Sequence, residues 1–126
     1  MTAESAPVLV LDASPLQRLL LMRALRAEGL TSLPAGSLQE ACEAVRRTGP
    51  VAAFVELLLD ADNGFACGRR LIEDFDLPCV LLSASGQASD RDWALRCGFR
   101  ALLERPLDTA RLRAVLQDLG LREAGA

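Results

Sequence analysis

The stretch VLVLDASPLQRLLLMRALRAEG, residues 8–29, decides the fold class. It begins with residues 8–11, four apolar residues without polar alternation, which predict a strand buried on both faces. Ser14 is a preferred helix N-cap, Pro15 suits the first helical position, and Gln17 completes a capping box. The remaining apolar residues follow helical spacing up to a glycine. A buried strand therefore leads within a few residues into an amphipathic helix.

Outward from this stretch, apolar runs of strand length alternate with longer amphipathic segments. We predict five strands, which are residues 8–11, 30–33, 51–58, 78–82 and 100–103. We predict five helices, which are residues 15–28, 38–47, 65–74, 89–97 and 108–119. Alternation of this kind requires parallel strands joined by helical crossovers. The predicted fold class is α/β, a doubly wound five-stranded parallel sheet with helices on both faces.

The length and charge of the chain limit its organisation and its partners. The 126 residues are enough for one domain, and we expect a core at about 8–119 with flexible tails at 1–6 and 121–126. The net charge of −3 and the absence of a basic run argue against a nucleic-acid surface. The apolar run at 19–22 is far shorter than the ~20 residues that span a bilayer. We therefore expect a cytoplasmic protein that binds neither nucleic acid nor membrane.

Two residue types are missing from the chain, and their absence excludes several kinds of chemistry. Without His, a Ser-His-Asp or Cys-His catalytic arrangement is impossible within it. Without Lys, it has neither a P-loop lysine nor a Schiff base. The four cysteines form no CxxC pair and are expected to be buried and inert, at Cys42, Cys67, Cys79 and Cys97. The sequence therefore does not predict an enzyme.

A sheet of this kind places its functional site outside the carboxyl ends of its strands, at a switch in strand order. Four of the predicted strands lead into polar residues at these ends, in segments 12–14, 56–63, 83–86 and 104–106. We therefore expect the functional residues of the chain in these four segments.

The four segments resemble the receiver domains of two-component response regulators. The matching motifs are VLVLDAS at 8–14, Glu56 followed eight residues later by Gly64, LLSASG at 81–86 and GFRALLERPLD at 98–108. The resemblance covers about residues 8–119. It implies a receiver-like (βα)5 fold with the strand order 2-1-3-4-5.

The resemblance also implies a chemistry. Receivers hold a divalent metal with acidic side chains, phosphorylate an Asp at a strand end, and stabilise the acyl phosphate with a Ser or Thr hydroxyl and a Lys. The residues at these positions are Asp12 and Ala13 for the acidic pair, Glu56 for the acceptor, Ser83 for the hydroxyl, and Arg105 for Lys, followed by the matching Pro106. We therefore expect a degenerate phospho-acceptor site without a cofactor, or with weak magnesium binding by Asp12 and Glu56.

Three of these replacements work against phosphoryl transfer. Ala13 removes one carboxylate, which lowers the affinity for magnesium. Glu56 places its carboxylate one methylene further out than Asp does, and a misplacement of about 1 Å costs much of the rate. Arg105 keeps the positive charge of Lys but spreads it over a planar fork. Switching by phosphorylation is therefore not expected.

Two interpretations of Glu56 stay open. In the first, Glu56 mimics a phosphorylated acceptor, with Arg105 as its counter-ion and Ser83 as its hydrogen-bond partner. In the second, Glu56 and Arg105 merely pair inside a decayed site. Leu102 occupies the position where receivers often place a switching Tyr or Phe, which weakens the first interpretation.

Two surfaces are candidates for binding a partner. By resemblance, the fourth helix, fifth strand and fifth helix form the usual output face. Trp93 either belongs to this face or folds over Leu102 or a neighbouring helix as part of the core. On the first helix, Leu19 and Met22 are expected to point to solvent. The residues of that helix expected to face the core are Leu20, Leu21, Ala24 and Leu25.

These observations predict a pseudo-receiver that acts as a phosphorylation-independent protein–protein interaction module in bacterial-type signal transduction. The expected partner is a kinase, an effector or another receiver, including a second copy of the chain. Two alternatives stay open. One is a metal-dependent phospho-accepting response regulator in which Asp60 and Asp62 restore metal ligands. The other is a sensor of a small anion held by Arg105.

Overall fold

The computed structural model describes residues 6–60, 62–85 and 87–122, in which five strands alternate with five helices. The strands are β1 (Val8–Leu11), β2 (Ser32–Ala35), β3 (Ala52–Glu56), β4 (Cys79–Ser83) and β5 (Ala101–Glu104). The helices are α1 (Pro15–Ala27), α2 (Leu38–Thr48), α3 (Gly64–Phe75), α4 (Ala88–Arg96) and α5 (Thr109–Asp118). The tails that we expect to be flexible lie mostly outside the described residues.

The five strands form a parallel sheet in the order β2-β1-β3-β4-β5, which confirms the predicted topology. The chain passes from β2 across β1 to reach β3, and this change of direction is the switch in strand order. Glu56 at the end of β3 pairs with Leu82, and Ser83 at the end of β4 pairs with Glu104. The register therefore brings the carboxyl ends of neighbouring strands to one edge of the sheet.

Helices cover both faces of the sheet, because alternate side chains of each strand point to opposite faces. On one face, Leu9, Val55 and Leu81 belong to a core that includes residues of α2, α3 and α4. On the other face, Val10 and Phe54 pack with residues of α1 and α5. Every residue of β1, β3 and β4 is buried, which explains why these strands are apolar without alternation.

The second strand lies further along the chain than predicted. It spans Ser32–Ala35, not residues 30–33, and Pro34 lies inside it opposite Val10. The prediction was wrong because it took proline as the end of the strand. β2 is an edge strand, where one side of the backbone needs no hydrogen-bond donor and proline is tolerated. The other elements begin and end within two residues of their predicted bounds.

The first helix is rotated relative to its predicted orientation. Leu21 and Leu25 are fully buried, but Leu20, which was expected to face the core, is 47% exposed. Met22, which was expected to face solvent, is partly buried and packs against the same core. Leu19 is exposed as predicted. A run of consecutive apolar residues does not fix the rotation of a helix, since it places apolar side chains on every face.

The four cysteines are free, and Cys42, Cys67 and Cys79 are buried as predicted, while Cys97 is half-buried. Burial raises the pKa of Cys67 to about 11 and that of Cys79 to about 12. Because the thiolate is the reactive form of cysteine, these two thiols are unreactive at neutral pH.

Among the described glycines near the carboxyl ends of the strands, Gly64 leaves the least room for a side chain. A Cβ at Gly64 would lie 2.3 Å from the backbone oxygen of Glu56. We expect Gly64→Ala to lower the free energy of unfolding by about 1–3 kcal/mol, because the backbone of β3 must move away. Urea unfolding measures this change. Ala66→Ser, at an exposed position of α3, is the control, with an expected loss of about 0.5 kcal/mol. Equal losses in the two variants would contradict this account.

Candidate functional site

The structure brings together the polar residues that follow or end β1, β3, β4 and β5. Asp12 follows β1, Glu56 and Ser83 are the last residues of β3 and β4, and Arg105 follows β5. Asp12, Glu56 and Ser83 are buried, although carboxylates and hydroxyls are seldom buried without partners. We call these four residues the carboxyl-end site.

The guanidinium group of Arg105 occupies the centre of the carboxyl-end site. Its Nε donates a hydrogen bond to Oε1 of Glu56 at 2.9 Å, and its Nη2 donates to Oδ2 of Asp12 at 2.8 Å. Its Nη1 donates to Oε1 of Gln17 on α1 at 2.6 Å. The Arg105 side chain is only 11% exposed. A planar fork with several donors in fixed directions suits this arrangement, whereas the point charge of Lys does not.

The second oxygen of each carboxylate is also occupied. Oδ1 of Asp12 accepts a hydrogen bond from the backbone N–H of Ser14 at 2.9 Å. Oε2 of Glu56 accepts one from the backbone N–H of Leu58 at 3.2 Å. All four carboxylate oxygens therefore have a donor from the protein itself.

The surroundings of Asp12 both raise and lower its pKa. Burial raises the pKa of Asp12 above its ordinary value, and this effect outweighs the N–H group of Ser14 and the positive charge of Arg105, which lower the pKa. The negative charge of Glu56 raises the pKa of Asp12 further. The guanidinium of Arg105 thus limits a destabilisation that the two buried carboxylates would otherwise suffer.

The residues at this site do not fit a magnesium ion. Magnesium prefers carboxylate and water oxygens in octahedral arrangement, but the oxygens of Asp12 and Glu56 already bind Arg105 and backbone N–H groups. Ala13 provides no side-chain ligand, and Asp60 and Asp62 are exposed. Among residues 6–60, 62–85 and 87–122, no three His, Cys, Asp or Glu side chains are grouped to hold a metal.

Ser83 does not have the partner that the first interpretation of Glu56 assigns to it. Its hydroxyl shares a hydrogen bond with the hydroxyl of Ser85 at 3.1 Å and accepts one from the Ser85 backbone N–H at 3.2 Å. The Ser85 hydroxyl donates to Oδ2 of Asp90 in α4 at 2.9 Å. The hydroxyl of Ser83 is thereby directed toward the β4–α4 loop, and none of the hydrogen bonds found between described residues joins it to Glu56.

Three residues of this network were not predicted as site residues. Gln17 was identified only as a capping residue, and its backbone N–H does bind the Ser14 hydroxyl at 3.2 Å, while its side chain extends to Arg105. Ser85 lies in the LLSASG motif and in segment 83–86, but neither Ser85 nor Asp90 was assigned a role. Local sequence could have indicated Gln17, because it is a polar residue next to the run of leucines in α1.

The residues proposed for partner binding occupy different environments. Leu102 is buried in β5, and its backbone oxygen accepts a hydrogen bond from Nη1 of Arg91 in α4 at 3.3 Å. Trp93 is half-exposed, and its ring meets Phe65 of α3 edge-on at 6.3 Å between centroids. This contact agrees with the possibility that Trp93 folds over a neighbouring helix, while half of its surface stays exposed.

This fold and this site define a receiver-type signalling domain. A family model, the response regulator receiver domain, matches residues 8–117, and the chain belongs to that family of two-component signalling domains.

No helix among the described residues is both long enough and apolar enough to cross a membrane.

Known proteins similar to this chain include both short and long members of the family. The chain is 26% identical to protein PilH of Pseudomonas aeruginosa, over 82% of this chain and 88% of PilH. It is 31% identical to the probable transcriptional regulatory protein TcrX of Mycobacterium tuberculosis, over 90% of this chain but only 51% of TcrX. Among solved structures, the receiver domain of NtrX from Brucella abortus superposes with a TM-score of 0.82 at 25% identity, covering 89% of this chain and 96% of that one.

We expect Arg105→Met to lower the free energy of unfolding by about 3–5 kcal/mol at neutral pH, because it leaves two buried carboxylates without their counter-ion. The loss should depend on pH. Removing the guanidinium raises the pKa of Asp12 further above its value in the unfolded chain. A carboxyl group with a raised folded-state pKa favours the folded state at low pH, and this contribution is lost as the pH rises through that pKa.

Urea unfolding of the Arg105→Met variant at several pH values between about 5 and 8 measures how its loss of stability depends on pH. The variant should lose stability relative to the wild type as the pH rises. Should it fail to fold at neutral pH, refolding on acidification gives the same information. Arg111→Met removes an exposed arginine of α5 and serves as the control, with little change expected. A loss that is independent of pH would contradict the role of Arg105 as counter-ion.

Proposed function

We propose that this chain is a pseudo-receiver: a receiver domain that acts as a protein–protein interaction module without being phosphorylated. The observation that carries the proposal is the binding of Arg105 to Asp12, Glu56 and Gln17 in the buried carboxyl-end site. In ordinary receivers, by resemblance, a metal and a Lys supply the positive charge and an Asp accepts the phosphoryl group. Here one arginine of the chain itself supplies that charge.

Glu56 is poorly prepared to act as a phosphoryl acceptor. An attacking carboxylate oxygen must be free to approach phosphorus in line with the leaving group. Both oxygens of Glu56 have hydrogen-bond donors, from Arg105 and from the backbone of Leu58. Attack by Oε1 would weaken the buried ion pair with Arg105, and attack by Oε2 would weaken the hydrogen bond from Leu58.

Two further features support a domain with a fixed state. Ser83 is bound to Ser85, which in turn binds Asp90 of α4, so the hydroxyl that would sense a phosphoryl group is engaged elsewhere. Leu102 has no polar group that could exchange partners when the site changes. We propose that Glu56 with its counter-ion holds one conformation and that signalling depends on which partner binds to it.

The proposed partner is another signalling protein, such as a kinase, an effector or a second receiver, and the proposed setting is the cytoplasm. The charge distribution supports neither nucleic acid nor membrane as partner. The proposal includes no catalytic turnover, since each carboxylate oxygen of the carboxyl-end site already accepts a hydrogen bond from the protein.

The test is to titrate the wild-type chain with magnesium and then with magnesium and beryllofluoride, a phosphoryl mimic. Trp93 fluorescence and backbone NMR shifts of Asp12, Glu56 and Ser83 report binding. We expect no saturable change, because the carboxylate oxygens are occupied. The matched control restores the receiver pattern with the combined substitutions Ala13→Asp, Glu56→Asp and Arg105→Lys, and we expect it to regain saturable magnesium-dependent shifts.

Saturable shifts at Glu56 and Ser83 of the wild type would show that the site still accepts a phosphoryl group, and the proposal would then be wrong. Stable incorporation of phosphate from acetyl phosphate into the wild type would lead to the same conclusion. The result that supports a pseudo-receiver is no saturable change in the fluorescence or NMR shifts of the wild type, together with a saturable change in the triple variant.

A further inference from the structure

A groove lies between α1 and the amino end of β2, away from the carboxyl-end site. Its volume is about 390 Å³, which is within the range of small-molecule sites. Two segments of the chain line it, and the lining residues are Leu19, Met22, Arg23 and Arg26 of α1, and Leu30, Thr31 and Ser32 at the entry to β2. We call this space the α1–β2 groove.

The α1 side of the groove has an apolar part and a cationic part. Leu19, Met22, Arg23 and Arg26 are spaced i, i+3, i+4 and i+7, so they share one face of the helix. Leu19 is exposed, Met22 is partly buried against the core, and both precede the two arginines along the helix. The groove is therefore apolar toward Leu19 and positive toward Arg26.

The opposite side of the groove adds an apolar floor and hydroxyl groups. Leu30 is only 6% exposed and belongs to the core beneath α1. Ser32 pairs with Val8, whose side chain belongs to the same core, so the side chain of Ser32 faces α1 as well. Because α1 connects two parallel strands, its last turn lies at the edge of the sheet where the strands begin. The hydroxyls of Thr31 and Ser32 are therefore at the cationic end of the groove.

The positive charge of the groove is not compensated, although the whole chain is acidic. Residues 15–27 contain no Asp or Glu. Arg23 and Arg26 are exposed and form no ion pair within the described part of the chain. The next carboxylate, Glu28, is already bound by Arg113 at 3.1 Å and by Arg122 at 2.6 Å. Two guanidinium groups thus remain to bind an anion.

The helix dipole explains only one of these two arginines. A basic residue in the last turn offsets the negative end of a helix, and Arg26 is in the last turn of α1. Arg23 lies before that turn, where the effect of the dipole has fallen off. The dipole also does not explain why the arginines border an apolar groove.

From these observations we infer that the α1–β2 groove binds a single-chain anionic amphiphile, which is a carboxylate or phosphate monoester on an aliphatic chain. The anionic group binds Arg23 and Arg26 through charge-assisted hydrogen bonds, next to the hydroxyl of Ser32. The aliphatic chain lies over Leu30 and along Met22 toward Leu19. This site is separate from the carboxyl-end site, and the inference does not depend on the proposed function.

Other occupants fit the α1–β2 groove less well. Surfaces that bind anionic membranes have clusters of roughly four to eight basic residues, whereas two line this groove. An extended peptide that added a strand to β2 would meet the exposed Pro34, which has no N–H to donate. A second copy of the chain, packed through the same face, would bring like charges together.

The test adds decanoate, below the concentration at which it forms micelles, to the metal-free full chain. We expect saturable backbone NMR shifts at Met22, Arg26, Leu30 and Ser32. Decyltrimethylammonium has the same chain length and a positive head group, and we expect it to cause no saturable shifts at these residues. Inorganic phosphate is an anion without an aliphatic chain, and we expect it to bind about tenfold more weakly than decanoate, or weaker still.

Variants separate the two parts of the groove. The pair Arg23→Gln and Arg26→Gln should weaken decanoate binding by about tenfold or more, whereas the pair Arg23→Lys and Arg26→Lys keeps the charge and should retain most of it. Leu19→Gln should weaken binding severalfold through lost apolar contact. The matched control, Arg47→Gln with Arg96→Gln, removes the same charge from last-turn positions of α2 and α4 and should leave binding unchanged. Unfolding curves of all variants confirm that they fold.

Each contrary result overturns the inference in its own way. Equal shifts with decyltrimethylammonium would show an apolar surface without charge selectivity. Phosphate binding as tight as decanoate binding would show an anion site in which the aliphatic chain has no role. No saturation by decanoate, with the control variant and the arginine pair alike, would show that the groove binds no such molecule.

Three further results would assign the groove to a macromolecule instead. Sedimentation with phosphatidylserine–phosphatidylcholine vesicles, lost in the Arg23→Gln and Arg26→Gln pair and without saturation by decanoate, would assign it to membranes. Saturation by a glutamate-rich peptide but not by decanoate would assign it to a partner protein, and self-association lost in Leu19→Gln would assign it to a second copy. None of these results bears on the proposed function, which the beryllofluoride titration tests separately at Glu56 and Ser83.

Discussion

The arrangement at the edge of the sheet depends on one guanidinium group with two buried carboxylates. The strand order and register force Asp12 and Glu56 close together where water has little access. Two negative charges in such a place require a cation, and Arg105 supplies it through two separate nitrogens. The third nitrogen extends the same interaction to Gln17, so that β1, β3, α1 and the β5–α5 loop meet at one side chain.

A cation from the chain itself changes what such a site can do. A metal ion leaves oxygens and water positions open for a substrate, whereas Arg105 occupies one oxygen each of Asp12 and Glu56 with a hydrogen bond from the chain itself. The fold of a receiver is retained because the buried strands and their helices do not depend on phosphoryl chemistry. Function follows from the site and its surfaces, and a retained fold alone does not imply a retained reaction.

Much of the fold could be predicted from the sequence, because buried parallel strands appear as apolar runs and helix starts have capping residues. The four polar segments at strand ends were also correctly located, since the topology places them together. The rotation of α1 could not be predicted, because Leu19, Leu20 and Leu21 are chemically equivalent. The bonds from Arg105 to Gln17 and from Ser83 to Ser85 depend on distances that only the folded chain defines.

A side chain cannot diffuse away, and this has a consequence for regulation. A magnesium ion binds according to its concentration in the surroundings, but Arg105 is present at the site whenever the chain is folded. A chelator or a change in magnesium supply would then leave the conformation unaltered. Under the proposed function, the output of this module would depend on how many molecules meet their partner and not on the fraction that is switched on.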